Sequence, residues 1–147
     1  MIIDYERSFG FLIQDVARLM RCAFDRRIKE AGLTPAQWFA LAYLLRADGL
    51  TQQQLADQMD MKRAPLSKML SRLEKGGWVK RVPDAIDKRA NRIFLTEKIN
   101  SISQHLQSQG EALSAYTMGD IDEDKANKII EFLIGAKQRL IDEIDNP

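Results

Sequence analysis

The chain has 147 residues, 45% hydrophobic and 29% charged, with 22 Lys+Arg against 21 Asp+Glu, a balance ordinary for one globular domain and contrary to a disordered chain. One cysteine, Cys22, excludes an internal disulfide, and with one histidine, His105, the chain has too few soft donors for structural zinc, so no metal or cofactor is expected. Apolar runs are broken by Arg, Asp or Gln well short of the roughly 20 residues of a membrane span, and no leader pattern opens the chain, so a cytoplasmic protein away from the membrane is expected.

Phe9, Leu12, Ile13, Val16, Leu19, Met20, Ala23, Phe24 and Ile28 recur at i, i+3, i+4 spacing, which predicts one long amphipathic helix ending near Gly32. Thr34-Pro35-Ala36-Gln37 then supplies an N-cap, a proline at the first helical position and a glutamine at N3, so a second helix should run from Pro35 to about Arg46. Thr51-Gln52-Gln53-Gln54 repeats that capping logic and opens a third helix, whose inner face is Leu55, Ala56 and Met59. After a short turn, Leu66, Met69, Leu70 and Leu73 mark the inner face of a fourth. Ala56 suits the close crossing of a helix-turn-helix. Pro65 would cost about 3 kcal/mol in a helix interior, so the fourth helix is expected to start at about Ala64, leaving the proline in its first turn.

The outward face of the fourth helix carries Arg63, Ser67, Lys68, Ser71 and Arg72, a polar, basic surface of the length a DNA major groove admits. Gly76-Gly77 stops the helix. Trp78–Val82 and Arg92–Leu95 are β-leaning runs joined by a loop too long for a tight turn, Pro83 to Asn91, with Lys88 and Arg89 near its tip. A hairpin of this kind suits a projecting wing that reaches phosphates or a narrow minor groove. Charge placement agrees: residues 1–61 hold 7 basic and 8 acidic side chains, 62–92 hold 10 and 3, and 93–147 hold 5 and 10. The cations concentrate on the fourth helix and wing, while the acidic C-terminal segment should lie away from a phosphate backbone.

Beyond the wing, residues 101–118 form a sparsely apolar helix carried by Ile102, Leu106, Leu113 and Tyr116. Asp122 then caps a final helix striped by Ile129, Ile130, Leu133, Ile134, Leu140, Ile141 and Ile144. These terminal stripes exceed what one small winged domain can cover, so they are expected to pair with a second copy in a two-fold homodimer. The expected fold is mainly α with a small two-stranded β-wing: a winged helix-turn-helix lobe over residues 33–99, flanked by dimerisation helices in 1–32 and 100–147.

This order of parts resembles the MarR family of winged-helix transcription regulators, in particular its SlyA-like branch. The resemblance spans about Phe11 to Ile144 and rests on Gly32-Leu33-Thr34 with Trp38, Leu55-Ala56, Leu73-Glu74-Lys75 with Gly77 and Val79, and Asp87-Lys88-Arg89 with Leu95-Thr96. It implies an obligate homodimer on a pseudo-palindromic double-stranded DNA operator, usually repressing and often released by a small anionic aromatic effector or an oxidant. It further implies that Arg89 enters the minor groove, that Asp87 orients the wing arginine, and that Arg63, Ser67, Lys68 and Arg72 lie on the recognition helix. Lys88 stands where relatives commonly carry arginine, keeping charge but losing the bidentate fork. At Lys98-Ile99-Asn100, just after the Leu-Thr-Glu segment, many relatives place a glycine; the β-branched residue here means the chain enters its next helix without a left-handed turn.

Lys88, Arg89 and Arg92 are thus expected to grip the minor groove and its phosphates. An effector pocket is expected from Trp38, Arg18 and Met69, an apolar floor with one cation. Cys22 reads as a small packing residue before it reads as an oxidant sensor, and His105 as a surface or interface residue. No glycine-rich phosphate loop, nucleophile elbow or histidine-paired nucleophile is present, so an enzyme is not expected. The competing reading is a winged-helix protein-interaction or antagonist subunit without specific DNA binding.

Overall fold

The computed structural model describes residues 4–146. The ends of the two terminal segments, residues 1–3 and 147, therefore lie outside the described residues. Helix α1, Phe9–Arg27, is followed by a 3-10 turn, Lys29–Ala31, that stops at Gly32 with φ 72°, a backbone state glycine adopts without a Cβ penalty. Helix α2, Pro35–Arg46, opens on the predicted capping box: Thr34 Oγ1 accepts from the Gln37 amide at 3.3 Å while Gln37 Oε1 accepts from the Thr34 amide at 3.0 Å. Helix α3, Gln52–Met59, repeats this with Thr51 and Gln54 at 3.1 and 2.8 Å. Each box satisfies two backbone donors that helical pairing leaves open.

Helix α4, Arg63–Lys75, begins one residue earlier than predicted, with Pro65 still inside its first turn, where the missing N–H has no intrahelical acceptor to lose. Its buried side chains, Leu66, Met69, Leu70 and Leu73, pack with Leu41 and Leu44 of α2 and Leu55 and Ala56 of α3 in one apolar cluster. Ala56 is 1% exposed, as the close approach of α3 and α4 demands.

Strands β2, Val79–Pro83, and β3, Asn91–Leu95, pair antiparallel with Val79 opposite Leu95 and Arg81 opposite Ile93. The sheet has three strands, not the two expected. Leu50–Thr51, β1, adds to the free edge of β3 in the order β1-β3-β2. Two residues carry no alternation to read, and their pairing exists only because the fold delivers them beside β3.

After a further 3-10 turn, Glu97–Ile99, helix α5 runs Asn100–Met118. Asn100 has φ −61°, so the chain enters α5 without a left-handed residue, as Ile99 requires. Leu106 joins Ile28 and Trp38 in a second apolar cluster, against which Ile102 packs. Tyr116, expected on the inner face of α5, is 79% exposed.

The chain divides into two compact units, Met1–Gly110 and Glu111–Pro147, so that the boundary falls inside α5. The second unit holds the end of α5, a turn at Gly119 with φ 63°, and helix α6, Glu123–Asp145, whose N-cap Asp122 accepts from the Lys125 amide at 2.9 Å. Neither α1 nor α6 has a buried residue. Val16 and Leu19 on the one, and Ile130, Leu140 and Ile144 on the other, are exposed apolar side chains. Among the described residues no helix is long and apolar enough to cross a membrane.

Candidate nucleic-acid interface

The inward stripe of α4 fixes what its other face presents. With Leu66, Met69, Leu70 and Leu73 in the core, Arg63, Lys68, Ser71 and Arg72 are left exposed and Ser67 half-buried at the edge. Lys62, the residue before α4, makes no side-chain cap, whereas Thr34, Thr51 and Asp122 cap α2, α3 and α6. The amides of the first turn and the cations beside them therefore favour an anion at this end of the helix.

The wing is braced by its own hydrogen bonds. The Asp84 amide donates to the Ala90 carbonyl at 2.9 Å, the Ala90 amide to the Asp87 carbonyl at 2.9 Å, and the Arg89 amide to Asp87 Oδ1 at 3.0 Å. Asp87 thus orients Arg89 through the backbone on which it sits, and the Arg89 side chain remains exposed, as does that of Lys88.

All three acids of the basic segment hold structure. Glu74 accepts from the Arg81 amide at 3.0 Å and from its guanidinium at 3.3 Å; first the backbone donor and then the guanidinium hold this carboxyl below its ordinary range. Asp84 accepts from Arg92 Nε at 3.1 Å, and chiefly this bond lowers its carboxyl likewise. Asp87 caps the wing turn. Two cations are drawn inward in consequence, since period 2 puts Arg81 on the same face as buried Val79, where it meets Glu74 and donates to Ser71 Oγ at 2.8 Å.

Arg92, expected on phosphate, donates through Nη1 to the Gly49 carbonyl at 2.8 Å and through Nε to Asp84. Its role in this structure is internal: it fastens the base of the wing to the turn before β1. An arginine opposite Val82 on a short strand reaches these two acceptors before it reaches beyond the sheet.

A cleft of about 480 Å³ opens between the start of α4 and the wing, lined by Arg63, Ser67, Asp87 and Arg89 together with Gln53 of α3. Four of the eight residues expected to touch DNA therefore share one concavity. Lys68 and Arg72 continue the exposed face of α4, and Lys88 sits beside Arg89. Gln53 was not singled out from sequence, although its i, i+4 spacing to Asp57 was a readable signal for a side-chain pair.

The three expected effector residues do not come together. Trp38 is 5% exposed, its ring centroid 3.8 Å from that of Phe39 and 4.3 Å from that of Phe24, so its indole is spent on core packing. Met69 belongs to the separate cluster beneath α4. Arg18 lies exposed on α1, 3.4 Å from Asp15. A different concavity, of about 600 Å³, is lined by Arg21, Phe39, Tyr43, Met59 and Met61. Cys22, expected as a packing residue, is exposed, because α1 turns that face away from the cores of its own chain. His105 is exposed.

A helix-turn-helix whose second helix ends in a braced, cationic β-hairpin defines a winged-helix protein. Residues 31–90 match the MarR family model. Over 119 residues the chain is 27% identical to YybA of Bacillus subtilis, an uncharacterised HTH-type transcriptional regulator, covering 78% of this chain and 77% of that one. The crystal structure of transcriptional regulator PA3341 superposes with a TM-score of 0.80 at 29% identity, over 95% of this chain and 100% of that one. Apo MarR of E. coli has the same fold, with a TM-score of 0.74 at 24% identity over 92% and 98% of the two chains. Over residues 31–90 the chain is thus similar to the MarR family, and over most of its length to solved and curated transcriptional regulators.

Proposed function

We propose that this regulator binds a pseudo-palindromic DNA operator as a homodimer and represses the adjoining promoter. Residues 33–99 act as the DNA-binding lobe, while 1–32 and 100–147 supply the dimerisation helices. Arg63, Ser67, Lys68 and Arg72 of α4 enter the major groove; Lys88 and Arg89 reach the flanking minor groove and phosphates, and Asp87 fixes the turn that aims them. One observation carries this reading: the cleft that joins the start of the recognition helix to the wing is lined by Arg63 and Arg89, within a segment of 10 basic and 3 acidic residues. The exposed apolar faces of α1 and of α6 support pairing with a second copy, which would set two recognition helices about 34 Å apart on successive major grooves. Such a protein works beside the chromosome, in the cytoplasm.

For an effector, the concavity floored by Phe39, Tyr43, Met59 and Met61 with Arg21 at its edge supports a planar aromatic anion better than the dispersed Arg18, Trp38 and Met69. The test is fluorescence anisotropy of the purified protein on duplex from upstream of its own coding region, against a scrambled duplex, at two salt concentrations. Tight binding that prefers the upstream duplex and weakens with salt is expected. Equal failure on both duplexes at low salt would put the protein-interaction reading in its place.

A further inference from the structure

Three side chains on α3 and α4 form a relay that ends at the cleft. Arg63 Nε donates to Gln53 Oε1, and Gln53 Nε2 donates to Asp57 Oδ1 at 2.7 Å. The chemistry of its two ends fixes the Gln53 amide. An ionised carboxylate only accepts and a guanidinium only donates, so the NH2 must face Asp57 and the carbonyl oxygen must face Arg63. The amide flip is thereby fixed. With Nε engaged, Arg63 is held at the first position of α4 with its two terminal amino groups unspent among the described residues, the fork that matches O6 and N7 of guanine.

The neighbouring glutamines leave this duty to Gln53 alone. Gln54 is committed to the capping box with Thr51, and Gln52 lines the cleft without a bond to Arg63. Asp57 is the harder residue to explain, since an exposed carboxylate on the lobe that meets DNA repels phosphate. Its bond to Gln53 supplies a reason for it.

Resting on the DNA-binding reading above, we propose that Gln53, anchored by Asp57, is a positioning residue that holds the Arg63 guanidinium edge-on for one guanine in each half-site, and so sets specificity rather than bulk affinity. All three side chains are exposed in the free protein, so the relay contributes little to folding, and substitutions at Gln53 and Asp57 should leave the fold intact.

The experiment uses the full chain and two probes: the duplex that wild type enriches from a random pool, and the same duplex with its half-site guanines replaced. Binding is measured for wild type, Gln53→Ala, Arg63→Ala, the double variant and Asp57→Ala, with circular dichroism melts as a check on folding. Gln53→Ala is expected to cut discrimination between the probes about tenfold while changing affinity for the replaced probe less than about twofold. In the Arg63→Ala background it should have no further effect, because coupled residues are not additive. Asp57→Ala removes the anion and with it the acceptor for Gln53, so by charge alone it strengthens binding to both probes; the relay requires that discrimination nevertheless falls. Additive losses would mean that Gln53 touches DNA itself, and equal losses on both probes would mean a phosphate contact; either overturns the proposal. Unchanged discrimination in Gln53→Ala overturns it too. If wild type enriches no duplex, the DNA-binding reading fails first and takes the relay with it.

Discussion

Arg92 is bonded to Asp84 at the far end of the wing strands and to the carbonyl of Gly49 before β1, at 3.1 and 2.8 Å. One guanidinium thus ties β3 to the end of β2 and to a turn 43 residues back, and the Asp84 side chain that receives it is only 13% exposed. Gly49 returns the tie from its side, its amide donating to the Ile93 carbonyl at 3.0 Å. The wing therefore projects from a fastened base, and its exposed cations, Lys88 and Arg89, inherit a fixed direction.

Arg89→Ala and Arg92→Ala should differ in kind. Loss of Arg89 removes a proposed phosphate contact, so the slope of log affinity against log salt should become shallower by about 0.9, with the melting temperature unchanged. Loss of Arg92 should instead lower the melting temperature by a few degrees and weaken binding through a loosened wing, with little change in slope. Salt titrations and thermal melts on both variants separate the two. A slope change in Arg92→Ala as large as in Arg89→Ala would return Arg92 to the phosphate contacts.

The pH response follows from three lowered carboxyls. Asp84 is lowered mainly by the Arg92 guanidinium, Glu74 mainly by the Arg81 amide and Asp122 mainly by the Lys125 amide. A carboxyl whose folded pKa lies below its unfolded value stabilises the fold above the unfolded value, and that contribution is lost as pH falls through the folded one. Their contribution should therefore be level from pH 7 to about 5 and decline below about 4. Asp84→Asn removes one of the three, so its melting temperature should fall less steeply than that of wild type between pH 5 and 3. Parallel curves would show that Asp84 carries none of the acid sensitivity.

Gly49→Ala should destabilise by about 1–2 kcal/mol, lowering the melting temperature by about 3–6 °C. The residue has φ 77°, and a Cβ there would stand 2.7 Å from Phe94 Cε1, so backbone strain and a displaced ring add together. Gly119→Ala is the control. With φ 63° and nothing within 4 Å of its Cβ position, it carries the backbone strain alone and should cost less. Equal losses would mean that the Phe94 ring yields freely.

Much of the frame was legible because helices announce themselves locally. The capping boxes at Thr34 and Thr51, the cap at Asp122 and the tolerance of Pro65 in a first turn each depend on residues within four positions, and each is found where the sequence puts it. The inner stripe of α4 was legible for the same reason, and with it the exposed set Arg63, Lys68 and Arg72 by default. Tyr116 shows the limit of that logic, since a sparse stripe does not say where the covering surface ends.

The order of helices, the hairpin with its cationic loop, and the concentration of charge between residues 62 and 92 can all be read from the letters, because periodicity, capping and composition act over a few residues. Which cations stay outward was settled by packing and sheet closure. Arg81 and Arg92 look like Arg89 in a string of letters, but strand register aims Arg81 at Glu74, and closure of the sheet brings Asp84 and Gly49 to Arg92. Likewise, Trp38 and Met69 could be paired on paper, and packing assigned them to different cores. A side chain's partner is set by whatever long-range contact brings within about 3 Å, and that distance is not encoded locally.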